Sequence, residues 1–269
     1  MIKLRLQLLT FVGLFVLCCS VASAGEKLTL KDITAGKFRS KSMTEVRPMA
    51  DGETYAQISD DGKRIVTYSF RTGQQTGVLF DATAVQGADI DMVEGYIMSP
   101  DNGRILIQTA TKAIYRRSFT ATYYIYNTHT NQLEPLSDGG PQQTPVFSPD
   151  ANLIAFVRDN NIFLVDLLHD KAECQVTMDG KFNEVINGIP DWVYEEEFST
   201  NSSMVFSADS RQIAWIRYDE SAVKQYSMQL FKGQKPERSE FAEYPGDYTY
   251  KYPVPGQVNS KVSVHSYDI

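Results

Sequence analysis

Phe147-Ser148-Pro149-Asp150-Ala151-Asn152-Leu153-Ile154-Ala155 decides the fold, because it recurs. Earlier copies run Ile58-Ser59-Asp60-Asp61-Gly62-Lys63-Arg64-Ile65-Val66 and Met98-Ser99-Pro100-Asp101-Asn102-Gly103-Arg104-Ile105-Leu106. A later copy is Phe206-Ser207-Ala208-Asp209-Ser210-Arg211-Gln212-Ile213-Ala214. Each has an apolar residue, Ser-x-Asp, a polar turn and an apolar run, with successive serines 40, 49 and 59 residues apart. Pro presets φ and Asp bonds its neighbouring backbone, so Ser-Pro-Asp and Asp-Asp-Gly are turn formers. The apolar residues on either side then read as the two arms of an antiparallel hairpin.

Further strands follow each hairpin. They are Thr122–Asn127 after the second copy, Asn161–Asp166 after the third and Tyr226–Phe231 after the fourth. Four-stranded units every 40–50 residues are the mark of a β-propeller. The expected fold is therefore all-β: a β-propeller of four-stranded antiparallel blades, with about four blades present. A β-sandwich with regular turns is the alternative. Leu28–Ile33 reads as an entry strand or short helix, and Lys261–Ile269 alternates as a strand does. Four blades would leave an open edge on each side, and propellers avoid open edges by closing the ring. The expectation is an N-terminal portion of a longer protein; a small closed ring of four or five blades is the other option.

Residues 1–24 read as a signal peptide. Lys3 and Arg5 form a basic start, Leu6–Val21 is mostly apolar, and Ala22-Ser23-Ala24 is a cleavage site of small residues. An uncleaved membrane anchor is the lesser option, since the apolar run is short for a span. A lipoprotein is disfavoured because Leu17 precedes Cys18, where a small residue is expected. The protein is thus expected to be exported, to the periplasm or the outer surface, with residues 25–269 forming the partial propeller. Of three cysteines only Cys174 follows the leader, so no internal disulfide forms, and Cys174 reads as an inert buried thiol. The net charge is −7, and 24 basic against 33 acidic residues remain after the leader, which argues against nucleic acid as a partner.

Nucleophilic catalysis finds no support. There is no Gly-x-Ser-x-Gly elbow, and His129, His169 and His265 have no motif-spaced Ser or Cys. No histidine pair has metal-ligand spacing and no glycine run forms a phosphate loop, so neither a metal nor a cofactor is expected.

One stretch breaks the alternating rhythm: Asp191-Trp192-Val193-Tyr194-Glu195-Glu196-Glu197-Phe198. A block of like charge is by default a solvated loop. Adjacent carboxylates in a partly dry pocket also suit a primary ammonium, which offers three donors and the opposite charge. A guanidinium could hold a carbonyl or keep the acidic pair from repelling itself. Arg116-Arg117, between two strands of the second blade, is available, although from composition alone it reads as surface charge.

Asn187-Gly188-Ile189-Pro190-Asp191-Trp192-Val193-Tyr194-Glu195-Glu196-Glu197-Phe198 resembles the double-glutamate motif of the dipeptidyl peptidase IV family, in the prolyl oligopeptidase group of serine peptidases. Tyr115-Arg116-Arg117-Ser118-Phe119-Thr120-Ala121-Thr122-Tyr123-Tyr124-Ile125-Tyr126 resembles that family's arginine-bearing stretch, and the Ser-Pro-Asp hairpins with Tyr252-Pro253-Val254-Pro255-Gly256 resemble its early blades. The resemblance implies an eight-bladed propeller capping an α/β-hydrolase domain of the same full-length chain. It implies that Glu196 and Glu197 hold the free N-terminal amine of a peptide substrate, that Arg116 contacts a substrate carbonyl, and that X-Pro or X-Ala dipeptides are released. Position beside Ser118-Phe119-Thr120-Ala121 favours Arg116, with Arg117 the neighbouring option. Glu195 would support the pair, facing away. The motif would sit on a short helical insertion, and the family tends to form homodimers. The Ser-Asp-His triad is absent from these 269 residues, so this chain alone is expected to be inactive. The alternative function is a non-enzymatic exported propeller scaffold.

Overall fold

The four Ser-x-Asp repeats form four turns with one wiring. Each serine Oγ donates to its aspartate: Ser59 to Asp61, Ser99 to Asp101, Ser148 to Asp150 and Ser207 to Asp209. The same Oγ accepts the N–H five residues on, from Arg64, Arg104, Leu153 and Gln212, at 2.9–3.0 Å. The aspartate takes the N–H of Lys63, Gly103, Asn152 or Arg211. The residue after the aspartate is left-handed each time: Gly62, Asn102, Ala151 and Ser210 have φ between 57° and 68°. The serine hydroxyl, first among the causes, holds all four aspartates below the ordinary carboxylate range.

The computed structural model describes residues 27–40, 43, 45–85, 88, 90–230 and 244–269. The leader expected over 1–24 lies outside them. The chain divides into two compact units, 1–43 and 44–269. In the first, the entry segment is a short helix, α1 (Leu30–Thr34), with Thr29 as its N-cap accepting the Asp32 N–H at 3.1 Å.

The second unit is a run of antiparallel sheets, the blades of a β-propeller. Blade one is β1 (Arg47–Pro48), β2 (Thr54–Ile58), β3 (Arg64–Ser69) and β4 (Gln75–Asp81), paired in that order. Blade two is β5 (Gly95–Met98), β6 (Arg104–Ala113), β7 (Phe119–Asn127) and β8 (Leu133–Pro135). Blade three is β9 (Gln143–Phe147), β10 (Leu153–Arg158), β11 (Asn161–Asp166) and β12 (Ala172–Gln175).

The core lies between the blades, which explains why the strands are apolar on both faces. In blade three, Ile154, Phe156, Phe163 and Val165 pack with Leu106, Tyr123 and Ile125 of blade two. Their alternate neighbours Ala155, Val157, Ile162 and Leu164 pack with Met204, Phe206, Ile213, Trp215 and Tyr218 on the other side. Period-2 alternation thus sends successive side chains into two different inter-blade cores.

Blade four departs from the pattern. β13 (Val185–Asn187) and β14 (Met204–Phe206) lie end to end along one side of β15 (Gln212–Asp219). Between β13 and β14 the chain leaves the sheet and returns with α2 (Trp192–Phe198) on the excursion. The excursion closes at its neck: Ser203 N–H donates to Gly188 O at 2.8 Å, and both residues bond Ile216 of β15. Gly188 has φ of +78°, and a Cβ there would lie 3.0–3.1 Å from Ile162 and Val157, so the neck requires glycine.

Two expectations are corrected here. Tyr226–Phe231 does not extend blade four. Its described part, β16 (Gln225–Leu230), pairs among the described residues only with β17 (Gly246–Lys251), as a separate two-stranded sheet. The other side of β15 is taken by β18 (Lys261–Asp268) over its whole length, the strand expected at 261–269. Local alternation could not separate these choices, because a two-stranded hairpin and a blade strand share the same period. Cys174 is exposed rather than buried, because β12 is the outer edge of blade three and every residue of it faces solvent.

Candidate functional site

The excursion in blade four and the β6–β7 turn in blade two meet. Asp191 starts α2 as its N-cap: its side chain accepts the Tyr194 N–H at 2.9 Å, and Ser260 Oγ–H donates to its other oxygen. Ser199 ends the helix in the left-handed conformation, with φ of 56°. Aromatic rings seat the helix on both sides. Tyr194 packs edge-on against Tyr218 at 5.1 Å, and Trp192 lies 4.3 Å from Tyr252 and 5.7 Å from Tyr250. Asp191→Ala is expected to lower stability by about 1 kcal/mol through the lost cap. Asp191→Asn, which keeps an acceptor for Tyr194, is expected to retain most of it in urea unfolding.

The three glutamates face three ways. Glu195 is fully buried, and one oxygen accepts the N–H of Arg117 at 2.6 Å and of Ser118 at 2.9 Å. Its other oxygen has no hydrogen-bond partner among the described residues. Glu196 is half-buried and takes Arg116 Nε–H at 3.0 Å; the side chains are 20% and 70% exposed respectively. Glu197 is exposed, with no hydrogen bond or ion pair among the described residues. Glu196 and Glu197 lie in the last turn of α2, the negative end of the helix, with no basic residue in that turn. Helix formation gains nothing from carboxylates there, whereas a cation placed beside them is favoured.

The two arginines have separate tasks. Arg117 is an anchor: its N–H goes to Glu195, its Nη2–H to Ser199 Oγ at 3.0 Å, and its C=O takes Asn201 Nδ2–H at 3.3 Å. Arg116 spends only its Nε on Glu196, and its terminal nitrogens make no hydrogen bond among the described residues. The structure therefore brings Arg116 and Glu196 together, with Glu197 the next residue on the same helix. Glu195 faces away from them and holds the arginine turn in place.

Sequence reasoning included Asp191 in the acidic stretch without giving it a role, and did not reach Ser199, Asn201, Tyr250 or Glu220 as parts of this neighbourhood. An Asp immediately before a short apolar and acidic run is a helix-start signal and could have found Asp191. Ser199 and Asn201 lie just past the acidic run on the same excursion, Tyr250 and Glu220 come from distant strands or their ends, and none of the four carries a local signal. Burial first, then Tyr252, Tyr248 and the Glu196 carboxylate, raise the Tyr250 hydroxyl above its ordinary range, which places Tyr250 beside the helix. No group of three His, Cys, Asp or Glu suited to a metal ion occurs among the described residues.

A family model described as the dipeptidyl peptidase IV (DPP IV) N-terminal region matches residues 99–269. The chain belongs to the dipeptidyl peptidase IV family. It is 34% identical over 273 residues to the probable dipeptidyl-aminopeptidase B of Podospora anserina, covering 93% of this chain and 29% of that protein. Dipeptidyl-aminopeptidase B of Aspergillus niger is 33% identical over 269 residues, covering 92% of this chain and 29% of that protein. Among solved structures, Porphyromonas gingivalis dipeptidyl peptidase 4 superposes with a TM-score of 0.82 at 39% identity, over 90% of this chain and 34% of that one. The chain thus spans about a third of the length of the dipeptidyl peptidase IV relatives it matches.

Proposed function

We propose that this chain is the substrate-recognition propeller portion of an exported serine dipeptidyl peptidase. In this reading Glu196 and Glu197 hold the free N-terminal ammonium of a peptide, and Arg116 turns its terminal nitrogens to the carbonyl of the bound dipeptide. The observation that carries the reading is the Arg116–Glu196 pair at 3.0 Å, borne on a helix that leaves blade four between β13 and β14. An ammonium between two carboxylates gains charge-assisted hydrogen bonds, and the guanidinium keeps the empty acidic pair from repelling itself. Holding the amine sets the distance to the bond that is cut, so cleavage two residues in follows from the grip. X-Pro and X-Ala peptides are the proposed substrates. Cleavage would belong to a hydrolase domain of the same full-length protein, with Ser, Asp and His that these 269 residues do not supply.

The test is a pair of peptides differing only at the N-terminus. The full-length protein is expected to release the dipeptide from a free X-Pro peptide and to lose at least 10-fold in kcat/KM when that amine is acetylated. The 269-residue chain alone is expected to release none. Equal turnover of the acetylated peptide, or dipeptide release by the chain alone, would overturn the reading.

A further inference from the structure

Beside α2 lies a cavity of about 630 Å³ whose walls include Tyr115, Asp159, Lys181, Asp191, Trp192 and Glu220. Glu220 follows directly on β15 and is only 6% exposed. Its backbone is pinned, with the N–H donating to Glu184 O at 2.8 Å and the C=O taking the Val223 N–H at 3.0 Å. Three elements present titratable groups to its carboxyl: Asp191 from the loop ahead of α2, Lys251 from β17, and Tyr115 from the β6–β7 turn. Lys251 is drawn toward backbone carbonyls, with Nζ 2.7 Å from Val223 O and 3.4 Å from Ser221 O, and only partly offsets the acidic pair. Burial, and then the charge of Asp191, push the Glu220 carboxyl up to about 7. The Tyr115 hydroxyl is raised as well, first by burial and then by Tyr248, Glu220 and Glu195.

Asp191 is the cap of the helix that carries Glu196 and Glu197, and its neighbour Trp192 is the ring that seats that helix on Tyr252. We propose that Glu220 is a positioning residue whose protonation state, acting through Asp191, sets the seat of α2 and with it the grip of Glu196 and Glu197 on the peptide amine. The proposal rests on the clamp reading above for its effect on substrate, and on Asp191 and Trp192 alone for its effect on the helix. With Glu220 protonated, the Asp191 carboxylate caps α2 undisturbed. Loss of that proton puts a second negative charge beside it and favours arrangements in which the two separate. The sign follows from the raised carboxyl. The fold favours protonated Glu220, so the firm seat is fully present at acid pH and is lost as pH rises through about 7.

Two measurements on the full-length protein test this between pH 5.5 and 8.5. The first is fluorine NMR with 5-fluorotryptophan, the Trp192 resonance being assigned by its loss in Trp192→Phe. That resonance is expected to titrate with a midpoint near 7 in the wild type and not in Glu220→Gln. Lys251→Met, which removes the cation and leaves the carboxyl, is expected to move the midpoint to higher pH. The second is KM for an X-Pro substrate, expected to rise several-fold more across neutrality in the wild type than in Glu220→Gln. The substrate ammonium titrates in the same range, so the difference between the two proteins is the readout.

A Trp192 titration that survives Glu220→Gln, or a midpoint that Lys251→Met leaves in place, overturns the proposal. A titration abolished by Glu220→Gln together with a flattened KM profile supports it. A titration abolished without any KM difference overturns the link to the grip. If Glu196→Gln is then also silent, it is the clamp reading that has failed and not the seating of the helix by Glu220.

Discussion

Glu196→Gln in the full-length protein is expected to lower kcat/KM for dipeptide release by about 10- to 200-fold. The amide keeps the size and one acceptor of the carboxylate but loses its charge. A hydrogen bond to a charged group contributes about 1.5–3 kcal/mol, which converts to that range. Glu196 is also the partner of Arg116, so the variant frees a guanidinium beside the site and leaves a positive field where the ammonium should bind. Thermal stability is expected to change little, because Arg116 is 70% exposed and a pair with one solvated partner contributes little. Glu197→Gln should fall in the same range. The double variant should lose less than the sum, since on the clamp reading both side chains act on one ammonium. Steady-state kinetics on an X-Pro substrate, with melting as the control for folding, makes the check. Near-wild-type turnover by both single variants would remove the clamp.

Glu195→Ala is expected to act on the fold instead. Its carboxylate oxygen is the acceptor for two backbone N–H groups, those of Arg117 and Ser118, on a turn nearly 80 residues away in sequence. Truncation leaves both donors without a partner where Glu195 is fully buried and Ser118 is 8% exposed. Each orphaned donor costs about 1–3 kcal/mol, so a loss of about 2–6 kcal/mol is expected. The arginine turn would also lose its register against α2, and Arg116 its approach to Glu196. Glu195→Gln should behave differently, because its amide oxygen can accept from both N–H groups. Urea unfolding of wild type, Glu195→Ala and Glu195→Gln tests this: a lower midpoint at unchanged slope for Ala and a small shift for Gln. Equal midpoints for all three would mean that the two amides are not held by this side chain.

The blades were legible because their signals are local. Ser59, Ser99, Ser148 and Ser207 each act within five residues, and the alternating strands carry both inter-blade faces in their own sequence. Arg116, Glu196 and Glu197 became legible through resemblance, since only the tertiary fold brings residues 116 and 196 together. The excursion was written in the spacing of the serines: the interval from Ser148 to Ser207 is the longest of the three, and the excursion from Gly188 to Ser203 lies within it. Other features had no local trace. β16 alternates like a blade strand and yet pairs with β17, because what decides between them is the partner and not the period. Glu220 follows a strand like any turn carboxylate, and only the approach of Asp191 and Lys251 marks it out.

The neck of the excursion has an evolutionary consequence. The loop from 189 to 202 begins and ends at two residues joined by a single backbone hydrogen bond, Ser203 N–H to Gly188 O, and both are tied to Ile216 of the neighbouring strand. Backbone hydrogen bonds tie the loop to the sheet only at its base, while Tyr194 on Tyr218 and Glu195 on the arginine turn hold its helix. Changes between those points that keep Glu195 and its two amide partners can alter the exposed face of the helix without re-registering β13 or β14 on β15. The propeller behaves as a socket, and the helix as a fitting whose exposed face can drift while its buried Glu195 contact and the ring that carries it stay the same.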